Sequence, residues 1–225
     1  MKPDWRTFAS SLRAVLFDLD GTLVDGYAAI TGSVNHVRQR YRLPPLTAAE
    51  VRRFVGRGPD YLLEHTVPGG DPQADLPIYR AHYAATMTTG TELLPGARDV
   101  LAALKRLDLL IGVCSNKPAL FTRPLLRHLQ LASYLDTVLG PEDVARPKPA
   151  PDMVWTALSQ FHVSAEQALY IGDMTVDIET ARAAGVTVWV VPTGSDSRDA
   201  LRAANPDRLL NDLRDVVWWD REGGE

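Results

Sequence analysis

Four carboxylates, one lysine and one hydroxyl stand where this sequence can do chemistry. Asp18 and Asp20 are two residues apart in Asp18-Leu-Asp-Gly-Thr22, at the end of an apolar run. Side chains at i and i+2 of extended backbone point the same way, so both acids can face one ligand. Bare carboxylates that close repel, and one would hold a proton unless a divalent cation relieved the repulsion. Gly172-Asp-Met-Thr-Val-Asp177 supplies Asp173 and Asp177. An all-oxygen site with few protein ligands suits Mg²⁺, which keeps waters and binds together with substrate phosphate. Lys148, in Arg146-Pro-Lys-Pro149, brings a positive charge, and Ser115 and Asn116 bring hydrogen-bond donors. A carboxylate can attack phosphorus and form an acyl phosphate. The cation, the lysine and the hydroxyl stabilise charge on the transferring group. A second carboxylate can protonate the leaving oxygen and then activate water. In this inventory Asp18 is the nucleophile and Asp20 the acid/base.

Such groups act together only if the backbone gathers them. Short runs apolar on both faces, at 13–18, 109–114, 136–140, 168–172 and 186–191, read as strands of a buried parallel sheet. Helical patterns at 96–107, 118–129, 151–161 and 176–184 lie between them, the last stopping at Gly185. Alternation of this kind predicts a doubly wound, Rossmann-like α/β fold. In such sheets ligands bind outside the carboxyl ends of the strands, and Asp18, Asp20, Ser115, Lys148 and Asp173 all follow predicted strands. The stretch 26–89 breaks the rhythm. It reads as helices at 28–41, 47–54, 59–66 and 72–87, separated by Pro44-Pro45, by Gly56 and Gly58, and by Pro68-Gly-Gly70. The expected organisation is a discontinuous α/β core, 12–25 and 90–225, with a small helical cap inserted at 26–89. Hinges near Asp25-Gly26 and Thr89-Gly90 would let it open and close.

The Asp18–Thr22 motif, Ser115, Lys148 and the Asp173/Asp177 pair, in that order and each after a predicted strand, resemble the four motifs of the haloacid dehalogenase-like hydrolase superfamily. The helical insertion resembles its C1 cap. The segment 16–25 with Val55-Gly-Arg-Gly58 is most similar to the phosphoglycolate phosphatase-like branch. The resemblance implies that Asp18 is nucleophile and metal ligand. It makes Asp20 the acid/base, with its carbonyl on the metal. Lys148 steadies Asp18 and the phosphate, and Asp173 and Asp177 complete the Mg²⁺ site. Thr22, Ser115 and Asn116 belong to phosphoryl binding. Gly26 and Met174 depart from the family pattern, in which hydroxyl residues are common at both places. Retention of an acid at position 20 fits an alkoxide leaving group, hence a phosphate ester. Arg57, between two glycines of the cap, is a candidate to grip a substrate carboxylate or phosphate.

Plainer readings stand beside these. Asp177 could simply cap a helix, Lys148 could be a solvated loop residue, and Asn116 could only shape its loop. The five histidines fall on helical segments and none at a strand end. Net charge is −4 with no basic run, which argues against a nucleic-acid surface. The lone Cys114 excludes an internal disulfide and a paired-cysteine zinc site. No apolar run approaches a membrane span, and the first one lacks the form of a signal peptide, so a cytoplasmic protein without membrane partners is expected. The leading function is Mg²⁺-dependent hydrolysis of a small-molecule phosphate monoester, phosphoglycolate first. Alternatives are a phosphomutase similar to β-phosphoglucomutase and a non-catalytic phosphate-binding module. Oligomeric state is not legible. Trp218 and Trp219 could pack on the core or meet a partner.

Overall fold

Apolar runs flanked by helical patterns have one good use, as central strands covered on both faces, and the computed structural model of the protein, which describes residues 5–217, is built that way. In chain order its elements are α1 (Trp5–Ser11), β1 (Ala14–Phe17), β2 (Val24–Asp25), α2 (Tyr27–Arg40), α3 (Ala48–Arg52), α4 (Pro59–Thr66), α5 (Pro72–Thr86), β3 (Glu92–Leu93) and α6 (Ala97–Arg106). These are followed by β4 (Leu110–Cys114), α7 (Ala119–His128), β5 (Thr137–Leu139), α8 (Asp152–Phe161), β6 (Ala168–Gly172), α9 (Thr175–Ala183), β7 (Thr187–Val190), α10 (Arg198–Ala203) and β8 (Arg208–Leu209). The main sheet has the order β5-β4-β1-β6-β7-β8. Every pairing in it is parallel. β1 therefore lies between β4 and β6, and the carboxyl ends of all three open on one edge.

Alternation along β1 splits the core into two layers. Val15 and Phe17 join Leu101, Leu104, Leu125 and Leu126 of α6 and α7. Ala14 and Leu16 join Val154, Leu158, Ile178 and Ala181 of α8 and α9. A third cluster holds Val34, Val37, Leu62 and Tyr83 of α2, α4 and α5, together with Phe121 from α7. The helices α2–α5 are thus built around their own apolar centre, into which one aromatic ring of α7 is plugged. β2 and β3 pair antiparallel, Val24 opposite Leu93 and Asp25 opposite Glu92, where the chain enters and leaves this helical group.

Some elements go beyond the sequence reading. α10 is six residues long and is capped at its start by Ser197, whose side chain accepts from the Ala200 N–H. β2, β3 and β8 are two-residue strands, too short to carry a period. Where the reading ran β1 to Asp18, the strand ends at Phe17, although the Asp18 N–H still donates to the Ile171 carbonyl at 2.9 Å. Trp218 and Trp219 lie outside the described residues. Among the described residues no helix is long and apolar enough to cross a membrane.

Candidate active site

β1 delivers Asp18 to the sheet edge, and a tight turn carries the chain away from it. Gly21 sits in that turn at φ +87°, where L side chains are rarely found, and a Cβ there would come 2.5 Å from Oδ2 of Asp173. The turn thus needs glycine on both counts. From the next strand, β6, comes Asp173, and from the first turn of α9 comes Asp177. Oxygens of Asp18, Asp173 and Asp177 lie within 4.8 Å of one another, all three residues buried.

Lys148 completes the cluster from the loop before α8. Its Nζ is 2.8 Å from Oδ1 of Asp18, 2.7 Å from Oδ1 of Asp177 and 3.1 Å from the Tyr170 hydroxyl. Burial works against its charge, but Asp177 and Asp18 hold the ammonium well above its usual range. Three carboxylates, all ionised, against one ammonium would leave two negative charges in a buried cluster. Burial, then Asp177 and Asp18, push the Asp173 carboxyl well above the ordinary carboxylate range. The two negative charges that full ionisation would leave, on clustered carboxylate oxygens, fit a divalent cation of the hard, oxygen-preferring kind.

The supporting contacts give each acid a different surrounding. Asp173 accepts from the Thr22 hydroxyl at 2.9 Å and from the Ser195 N–H at 2.9 Å. Thr22 therefore orients a carboxylate here. Asp177 Oδ2 accepts from the N–H groups of Asp173 and Met174, so this residue caps its helix and holds Lys148 at the same time. Asp20 stands apart from the three-acid cluster, with its Oδ2 2.6 Å from Nζ of Lys117. Its Oδ1 is buried with no hydrogen-bond partner, and Gly26 lies against it: a Cβ there would come within 2.5 Å. Burial raises the Asp20 carboxyl above its ordinary value, with Lys117 pulling the other way.

Ser115, at the end of β4, is buried beside the cluster, its Oγ accepting from the Lys117 N–H at 3.3 Å. Asn116 donates through Nδ2 to the carbonyls of Gly56 and Lys148, and its Oδ1 accepts from the Lys148 N–H. Both amide hydrogens are taken, so this side chain ties the Lys148 loop to the loop that follows α3. Gly56 of that loop has φ +109°, and a Cβ there would come 2.2 Å from Sδ of Met174. Met174, one of the departures noted above, thus packs directly against Gly56 of the helical group. Arg57 is exposed, its guanidinium 5.5 Å from the centroid of the Tyr61 ring. Its neighbours Gly56 and Gly58 line the cavity in front of Asp18 and Asp20, whereas Arg57 is not among the described residues that do.

The sequence matches the haloacid dehalogenase-like hydrolase family over residues 15–191. It is 35% identical over 218 residues to a phosphoglycolate phosphatase of Rhodospirillum rubrum, covering 92% of this chain and 90% of the relative. The chain belongs to the haloacid dehalogenase-like hydrolase family. A phosphoglycolate phosphatase of Photorhabdus laumondii is 30% identical over 213 residues, covering 92% and 91% of the two chains. The crystal structure of a haloacid dehalogenase-like hydrolase from Bacteroides fragilis superposes with a TM-score of 0.85 at 28% identity, covering 91% of this chain and 99% of that one. These matches put the chain in the phosphoglycolate phosphatase-like branch of the hydrolase family.

Two site residues escaped the sequence reading. Lys117 follows Ser115 by two residues at a strand end, which was the available signal, and its side chain is almost wholly buried on Asp20. Tyr170 is a polar-tipped ring inside an apolar strand. Its hydroxyl donates to the Cys114 carbonyl at 2.8 Å and accepts from Lys148.

Proposed function

We propose that this hydrolase cleaves a small-molecule phosphate monoester, phosphoglycolate first among candidates, with Mg²⁺ as its cation and an aspartyl phosphate as its intermediate. One observation carries the reading: three buried carboxylates within 4.8 Å of one another, bridged by one buried lysine, at the carboxyl edge of the sheet. Asp18, Asp173 and the Asp20 carbonyl would hold the cation, with Asp177 setting the position of Lys148 and of the loop. When bound, a divalent ion screens the charge on the phosphoryl oxygens and on Asp18.

In the first step an Asp18 oxygen bonds to phosphorus while the phosphorus–ester oxygen bond breaks. Asp20 gives its proton to the departing alkoxide. In the second step water attacks phosphorus, Asp20 takes a proton from it, and the bond to Asp18 breaks to release inorganic phosphate. Ser115 and Lys148 donate to the phosphoryl oxygens as charge builds on them. The helical segment 26–89 acts as a cap that shuts bulk water out, clipped to the core through Asn116 and Met174.

The test is phosphate release from p-nitrophenyl phosphate and from phosphoglycolate, before and after chelation and with Mg²⁺ restored. Activity should vanish with chelation and return with Mg²⁺. Asp18→Asn should lower turnover by at least about 10³-fold with the fold intact. Undiminished turnover in Asp18→Asn would end the reading.

A further inference from the structure

The cavity beside Asp18 and Asp20 is walled mainly by Ile30, Val55, Leu62, Tyr79, Tyr83 and Phe121. Walls of this kind offer an anion little, and they strengthen any charge left among them. Among the described residues lining the cavity, Lys117 is the one cation. Its Nζ lies 2.6 Å from Oδ2 of Asp20 and 4.7 Å from the centroid of the Tyr83 ring. An ammonium donates three hydrogen bonds, and Asp20 uses one, which leaves capacity for a second anion.

The distances limit where that anion can sit. A proton donor must come within about 2.6–3.2 Å of the oxygen it protonates. If Asp20 reaches the ester oxygen through Oδ2, that oxygen lies within about 6 Å of Nζ of Lys117. A carboxylate bound by the ammonium at about 2.8 Å is then only a few bonds from the ester oxygen. Two or three carbons span this gap. A neutral alkyl group leaves the ammonium with Asp20 alone.

We infer that Lys117 is the specificity-determining residue for the leaving group and binds a carboxylate carried on its short carbon chain. The inference rests on the phosphatase reading above. It transfers to Lys117 the role that the sequence reading held open for Arg57, which the fold leaves exposed on Tyr61.

The experiment compares kcat/KM for three esters: phosphoglycolate, its neutral amide and p-nitrophenyl phosphate. The wild type should prefer the acid over the amide by about 10- to 100-fold, the range of a charged hydrogen bond, mainly through KM. In Lys117→Gln the acid/amide ratio should fall to within a few-fold of one, and Lys117→Arg should recover part of it. A ratio unchanged in Lys117→Gln, whatever the absolute rates, makes Lys117 only the counter-ion of Asp20 and overturns the inference. If that variant does not fold, the wild-type comparison decides: equal kcat/KM for acid and amide overturns the inference. Hydrolysis of p-nitrophenyl phosphate in that case leaves the phosphatase reading standing. No hydrolysis of any of the three brings down both.

Discussion

Replacing Lys148 by Met should unbalance the centre of the molecule, and the size of the effect follows from the contacts. The ammonium is 1% exposed and pairs with Asp18 at 2.8 Å and Asp177 at 2.7 Å, the latter 0% exposed. Methionine fits the volume but leaves two of its partners as buried, unpaired carboxylates. Removing one partner of a buried ion pair costs about 3–5 kcal/mol, because the remaining charge has neither water nor partner. For a chain of this length that is a fall in Tm of the order of 10 °C. Scanning calorimetry of the metal-free protein at neutral pH measures it. Adding Asp177→Asn to Lys148→Met takes away one uncompensated charge and should return roughly 1–3 kcal/mol. Turnover should stay lost in both variants, because the charge beside Asp18 is still missing. The assignment of Lys148 as counter-ion fails if Lys148→Met unfolds within about 1 kcal/mol of wild type, or if Asp177→Asn makes Lys148→Met worse.

Two further outcomes follow from buried titrating groups. With no metal, Asp173 keeps its proton to a pH where the unfolded chain has already lost it, so its contribution to stability declines as pH rises from the ordinary carboxylate range through its raised value. In the proposed function Mg²⁺ would take the place of that proton, so saturating Mg²⁺ should raise Tm by roughly 5–10 °C at pH 8 and by clearly less at pH 5.5. A gain equal at the two pH values would refute this. Burial pushes the Cys114 thiol up to about 12, so at pH 8 the folded protein should resist a thiol reagent for hours and take up one equivalent on denaturation. Native labelling within seconds would contradict the buried assignment.

The candidate site residues were legible because their signals are local. The spacing of Asp18 and Asp20, the strand-end positions of Ser115 and Asp173, and the helical character of the stretch after β1 are properties of a few neighbouring residues. Hydrophobic runs and breakers report them directly. Partnerships were not legible. Thr22 meets Asp173 across 151 positions of sequence, and Lys117 meets Asp20 across 97. Sequence placed Thr22, Asn116 and Arg57 near a phosphate. The fold spends the Thr22 hydroxyl on Asp173, spends the Asn116 amide on Gly56 and Lys148, and turns Arg57 out over Tyr61. The physical reason is that a strand can be inferred from burial on its two faces, whereas the direction of a polar side chain beyond its end depends on the turn that follows and on what is folded over it. The order of the strands about β1 and the seating of α2–α5 on Phe121 and Met174 settle those directions, and both are decided by packing between distant parts of the chain.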